Sequence, residues 1–270
     1  MDPAVFQGFR EIAYQQAGIA LRENKEALVS ARIAKRVRSL GLDGERAYLD
    51  FLRKDQSGQE LVSFLDAIST NFTSFYREQD HFETLSAELA ATVKRGTKRV
   101  RIWCAAAATG EEPYTLAITM AEALDGRVDD WRLLATDIST RALELASAGR
   151  YEETKLAQVP APLRTKYFKS EAGHSADAGM MTAKPALRSK ILFKRLNLAT
   201  PPFPLRGELD FVFCRNVMIY FDIEVRQRLI SEIERLLKPG ALLVVAHSET
   251  LSGIVTGLSM VRPSVYRKAA

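Results

Sequence analysis

A chain of 270 residues is long enough for one full α/β domain and a smaller companion, at roughly 100 to 200 residues per domain. Hydrophobic residues make up 47% and charged residues 26%, which excludes disorder and fibrous repeats, and no uncharged apolar run approaches the roughly 20 residues needed to cross a bilayer. The net charge of +5, from 38 Lys and Arg against 33 Asp and Glu, hints at an acidic partner but is too mild to name nucleic acid. The start of the chain, MDPAVFQGFREIAYQQ, lacks a basic segment followed by an apolar stretch, so no secretion signal is read there. Cys104 and Cys214 lie in apolar runs with no CxxC and no Cys/His cluster, so the expected setting is a reducing cytoplasm and no metal is expected.

The first 90 or so residues read as successive helices. Phe6, Phe9, Ile12 and Ala13 recur at helical spacing, and Asn24-Lys25-Glu26 marks the start of an amphipathic segment from about Ala27 to Leu40, ended by Gly41. Tyr48, Leu49, Phe51 and Leu52 form a third apolar stripe, and Leu61, Phe64, Leu65 and Ile68 a fourth. No strand is needed before residue 98.

Beyond Lys94–Arg99 the period changes. A strand from Val100, a turn at Thr109-Gly110 and a helix from Tyr114 to Leu124 set a beat. It repeats in Trp131–Thr136 with Ser139–Ala148, in Leu209–Cys214 with Ile223–Leu237, and in the strand Ala241–Ala246. Alternating strands and helices imply a parallel sheet covered on both faces. Pro160, Pro162, Gly173, Gly179 and Pro185 interrupt the region between Tyr151 and Leu198, which reads as an insertion.

The strongest local feature is Ile102 to Tyr114, where a buried strand enters four alanines, a glycine turn and a helix that starts with Glu111-Glu112-Pro113. Two acids at a helix start would repel a phosphate but suit a ligand bearing a cation and hydroxyls, such as S-adenosylmethionine; they also favour the positive end of the helix dipole on their own. Asp137, at the tail of the second strand, is placed to accept from ribose hydroxyls or to cap the next helix, a role Ser139 fills equally well. Arg215 and Asn216 end another strand, with Tyr220 close behind, and are sited for substrate contact or for capping. Asn71 to Glu78, followed by His81 and Phe82, joins the helical and α/β regions and is dense enough in aromatics to fold over a pocket.

On the segment from Ala27 to Leu40, Val29, Ile33, Val37 and Leu40 share a face while Arg32, Lys35 and Arg38 project away and Arg36 flanks it, which describes a solvated face or a platform for an acidic partner. His81, His174 and His247 are scattered and fall in no nucleophile or metal motif; GxSxG, P-loop and kinase signatures are missing.

Taken in order, NFTSFYRE, WCAAAATGEEPYTLAI, ATDIST, FVFCRNVMIYFD and LLKPGALLVVAHSE closely resemble the chemotaxis-receptor glutamate O-methyltransferases, the CheR family of class I S-adenosylmethionine-dependent methyltransferases. These motifs span residues 71 to 249, and EALVSARIAKRVRSLGL is similar to the family's basic N-terminal helix. Ala107-Ala108 stands where many members carry a Cys-Ser or similar pair. The resemblance implies an α/β fold: a doubly wound, mostly parallel sheet, an all-helical receptor-docking domain over 1–80, a methyltransferase domain over 81–270, and a small antiparallel β-subdomain inserted at about 155–198. It implies S-adenosylmethionine as cofactor and S-adenosylhomocysteine as product. By matching positions the cofactor contacts are Asn71, Thr73, Arg77, Glu112, Asp137, Asn197, Leu198, Arg215 and Asn216, with Arg77 and Tyr220 as catalytic residues.

Arg32, Lys35, Arg36 and Arg38 then become docking residues for the acidic methylation helices of cytoplasmic chemoreceptor domains, and a receptor's C-terminal tail peptide is a further partner of some family members. A cytoplasmic monomer without nucleic acid or membrane insertion is expected. Two alternatives stay open: the same enzyme class acting on nucleic acid or a small molecule, and a signalling adaptor without turnover.

Overall fold

The computed structural model describes residues 1–171 and 179–269; Gly173 and His174 lie outside them. Helix α1 (Pro3–Ala17) starts at Asp2, whose carboxylate accepts from the Ala4 N–H at 2.7 Å, and stops at Gly18 in the left-handed conformation. It packs with α2 (Glu26–Ser39), α3 (Gly44–Lys54) and α4 (Gln59–Ile68) around Phe9, Ile33, Tyr48, Phe64 and Leu65. The stripes read from the sequence face this core, with Ile12, Val37, Leu40 and Leu61 partly buried at its margin, and Phe51 turns to solvent.

Helix α5 (Asp80–Lys94) packs on α6 (Glu111–Leu124) and leads into β1 (Arg99–Cys104). β2 (Asp130–Asp137) and α7 (Thr140–Ala148) follow. Next come β3 (Arg150–Glu152), α8 (Ala161–Tyr167), β4 (Phe168–Ser170) and β5 (Met180–Ala183), which form a separate antiparallel sheet in the order β3-β5-β4. A short turn of helix α9 (Pro185–Arg188) precedes β6 (Ile191–Arg195). The chain ends through β7 (Leu209–Phe213), α10 (Ile223–Leu236), β8 (Leu237–Val244), β9 (Leu258–Arg262) and β10 (Val265–Lys268).

The main sheet has seven strands in the order β6-β2-β1-β7-β8-β10-β9, parallel from β6 to β8 and antiparallel beyond. One face buries Phe82, Leu116 and Leu133 among others, and the opposite face buries Trp103, Val212 and Ile230 against α10. The doubly wound expectation stands. Among the described residues no helix is long and apolar enough to cross a membrane.

The sheet corrects the expected insertion in one respect. The antiparallel strands run from Arg150 to Ala183, and Ile191–Arg195 belongs to the main sheet, paired in parallel with Leu133–Asp137. This strand lies at the sheet edge with Leu192 54% exposed, so its pattern alternates instead of forming the continuous apolar run of a central strand. The strand expected at Ala241–Ala246 begins earlier, at Leu237, where a register shift against β7 and Gly240 at φ 76° let the Lys-Pro-Gly stretch join the ladder.

Candidate active site

β1 is the topological switch of the sheet, pairing with β2 on one side and β7 on the other. Ligands in such sheets sit beyond the carboxyl ends of the strands at this point. Here the ends of β1, β2 and β7 and the α1–α2 and α4–α5 connections enclose a cavity of about 530 Å³, within the usual size for small-molecule sites. Every cofactor and catalytic residue named from the sequence borders it: Asn71, Thr73 and Arg77; Glu112 and Asp137; Asn197 and Leu198; Arg215, Asn216 and Tyr220. Arg32 borders it too.

The floor follows from local backbone chemistry. After β1 the chain threads Ala105 to Ala108, with Ala107 N–H donating to Thr136 O and Ala105 N–H to Phe213 O, both at 2.8 Å. Gly110 then caps α6 at φ 101°, and a Cβ there would come within 2.5 Å of the Tyr151 hydroxyl and 2.9 Å of Ala146 Cα, so only glycine fits this close approach. Asp137 accepts from Ala108 N–H at 2.8 Å on one oxygen and from Ser139 N–H at 2.9 Å on the other. Ser139, not Asp137, caps α7, through its hydroxyl to Ala142 N–H. Each Asp137 oxygen keeps a lone pair for an outside donor. Burial raises the Asp137 pKa, against the lowering effect of those backbone bonds.

Glu112 is also buried, and its carboxylate is held by Arg215 at 2.5 Å. The Arg215 guanidinium is fully enclosed: it donates to Glu112, to Glu78 at 3.0 Å and to Arg77 O at 2.6 Å, lies over the Phe82 ring, and leaves Nε unpartnered. The sequence reading treated Arg215 as a ligand contact. Arg215 borders the cavity, and its guanidinium also clamps the α4–α5 connection to the start of α6, so it fixes the position of Glu112. Asn216 takes a left-handed turn at φ 57°, secured by buried Glu249, which accepts from the N–H groups of Asn216, Val217 and Ala246 at 2.9 to 3.0 Å. Burial raises the Glu249 pKa.

The opposite wall comes from the helical domain. Arg32 donates to Ile68 O, Ser69 O and Thr70 Oγ1, holding the end of α4 where the chain enters the cavity. Arg36 is paired with Glu60, which also accepts from the Tyr48 hydroxyl at 2.7 Å. Of the four basic residues read as one docking face, only Lys35 and Arg38 are exposed. The periodicity separated apolar from basic positions but carries no information on which arginines find partners in α4.

Among the bonds that tie the two sides together are Ala20 N–H to Tyr220 O at 2.9 Å, Asn197 Nδ2 to Gln16 O at 2.7 Å, the Thr140 hydroxyl to Asp66 at 3.0 Å, and the Tyr14 hydroxyl to Asp222. Asn197 Oδ1 accepts from Ala199 N–H, so both ends of that amide are engaged at the domain junction, and Leu198 is an apolar wall. Arg77 donates to Phe72 O at 3.2 Å and lies over the Phe72 ring.

Sequence reasoning missed Glu78 and Glu249, and only their nearness to strand and helix ends could have signalled them. It also missed that His81 and His247 meet, with ring centroids 4.7 Å apart. His81 is enclosed, and burial with the neighbouring Arg215 charge lowers its pKa to about 4.

Comparison with known proteins agrees with this geometry. Residues 71–266 match the family model described as the CheR methyltransferase, SAM binding domain, and residues 4–69 match the CheR methyltransferase, all-alpha domain. The chain is 36% identical over 266 residues to the chemotaxis protein methyltransferase of Salmonella typhimurium, covering 98% of this chain and 90% of that one. It is 41% identical over 244 residues to chemotaxis protein methyltransferase 2 of Pseudomonas aeruginosa, covering 90% and 85%. The protein of that name from Borreliella burgdorferi is 34% identical over 265 residues, covering 96% and 92%. With both family domains matched in order and relatives alike over nearly their whole length, the chain belongs to the CheR methyltransferase family.

Proposed function

We propose that this methyltransferase esterifies glutamate side chains on the cytoplasmic helices of chemotaxis receptors, with the cavity between sheet and helical domain as the place of transfer. The observation that carries the reading is that cavity: it gathers buried carboxylates at the sheet ends, a turn of small residues, and an Arg and a Tyr from two other segments. The donor set fits S-adenosylmethionine. Asp137 offers open lone pairs to sugar hydroxyls, Glu112 adds negative charge near a cationic ligand, and the alanines of 105–108 leave room for it. When bound, the cofactor supplies a methyl group on a positively charged sulfur.

The chain's own residues have a positioning task. A glutamate with a solution pKa near 4.3 is already ionised at neutral pH, so no general base is required. Neither His81 nor His247 borders the cavity. Arg77 and Tyr220 align the incoming carboxylate, and the enclosing walls hold reactants at about 3 to 3.5 Å in line. Too tight a grip by Arg77 would stabilise the ground state; its bond to Phe72 O restrains it. Glu78, Arg215 and Glu249 act one step back by fixing Glu112 and the Asn216 turn.

Lys35 and Arg38 present charge to acidic receptor helices, and esterification weakens that attraction and favours release. A receptor tail peptide would add as a strand to an edge of the β3-β5-β4 sheet. The cavity is complete within one chain, which fits a working monomer. The test is incubation with methyl-labelled S-adenosylmethionine and a receptor cytoplasmic fragment. Label on the receptor that is released by mild base is the expected result; base-stable label, or label on RNA or a small molecule instead, overturns the reading.

A further inference from the structure

We propose that Glu78, His81 and His247 form a binding site for a divalent transition metal ion of the zinc class, beside the cofactor cavity but outside it. Each of the three offers one ligand atom, and these atoms lie within 4.8 Å of one another. Asp80 stands next to them, its Oδ2 3.0 Å from His247 Nε2 and 4.0 Å from His81 Nε2.

The independent observation is His81. It is 1% exposed, and neither ring nitrogen has a hydrogen-bond partner, although Glu78 Oε2 lies 3.4 Å from Nδ1. Buried polar nitrogens are nearly always paired, so an imidazole with two unpaired nitrogens beside a second imidazole and two carboxylates calls for an occupant. A metal ion supplies what is missing: one nitrogen ligates while Glu78 or Asp80 orients the ring through the other.

The chemistry selects the metal. Two imidazoles with carboxylate oxygen suit zinc and its neighbours, whereas magnesium and calcium favour all-oxygen shells. Glu78, Asp80 and Glu112 set three carboxylates against the single Arg215 guanidinium, and the surplus of two negative charges matches a divalent ion. Zinc bonds of about 2.0 to 2.2 Å need a tighter shell than the present one. His247 and Asp80, with side chains 49% and 59% exposed, are free to close it. Since Glu78 also holds Arg215, occupancy of this site and cofactor binding draw on one residue and are linked in both directions.

The 270-residue chain, stripped with chelator, is titrated with Zn²⁺ against a chromophoric chelator, and with Co²⁺ while visible absorption is followed. The expected result is one equivalent of tightly held Zn²⁺ and the intense visible bands of low-coordinate Co²⁺, both lost in His247→Ala and retained in His174→Ala. His81→Ala should behave like His247→Ala; if its melting curve shows that it fails to fold, the half-exposed His247 still decides. Absence of a stoichiometric equivalent in the wild-type chain, or its survival in His247→Ala, overturns the proposal.

Discussion

On the sheet side of the cavity the carboxylates of Glu112 and Asp137 are buried and already hold partners, whereas on the helical side two arginines are tied inward and two basic residues of the same helix stay in water. Arg215 lies between Glu112 and Glu78, and Asp137 is held by two backbone amides. Across the cavity Arg32 and Arg36 serve α4, while Lys35 and Arg38 remain exposed. On the proposed function, the difference teaches that preorganised charge would set how the cofactor is held, while screened surface charge would set how fast an acidic partner arrives. Changes in the two walls should therefore move different quantities.

The sharpest way to break that division is Arg215→Met, which leaves buried Glu112 and half-buried Glu78 without their cation. A loss of about 3 to 5 kcal/mol is expected by urea denaturation, as for other broken buried pairs. A change confined to activity, with stability intact, would show that Arg215 serves the ligand and not the clamp. Next in size is Asp137→Ala. Two hydrogen bonds to a charged acceptor, at about 1.5 to 3 kcal/mol each, predict an affinity for S-adenosylhomocysteine lower by roughly 100-fold or more in calorimetry.

The double reversal Lys35→Glu with Arg38→Glu should lower receptor methylation by about tenfold, shrink in effect as salt is added, and leave cofactor affinity unchanged. Equal loss of both would erase the distinction between the walls. Arg36→Ala should instead register in the melting temperature, since it strands Glu60.

The smallest expected effect is on pH. Asp137 has a raised pKa in the folded chain, so the native state takes up its proton more readily than the unfolded one. Its contribution to stability is fully present below the unfolded carboxylate pKa and is lost as pH rises through the folded value. Cofactor hydroxyls favour the ionised form, so S-adenosylhomocysteine affinity should fall as pH drops through that value, and the slope should be absent in Asp137→Ala.

The strand and helix beat was legible because periodicity reports which face of an element is buried, and the place of Asp137 at the cavity was legible because it ends a strand of a wound sheet. The edge strand Ile191–Arg195 and the closing hairpin of β9 and β10 escaped, since a half-exposed strand lacks the apolar run that marks a central one. The clamp of Arg215 on Glu112 joins residues 103 positions apart, and no local pattern encodes such a pairing. Asn197 likewise looked available because its partner, Gln16 O, belongs to another domain. Motif resemblance picked residues that all border one cavity, and only the geometry shows which of them are also tied to partners across the fold.

Calorimetric titration of S-adenosylhomocysteine into the purified chain tests the central claim most directly. One saturating site per chain, weakened by roughly 100-fold or more in Asp137→Ala and unchanged by the double reversal of Lys35 and Arg38, is the predicted result. No binding to the wild-type chain, or equal weakening by both sets of changes, would contradict it.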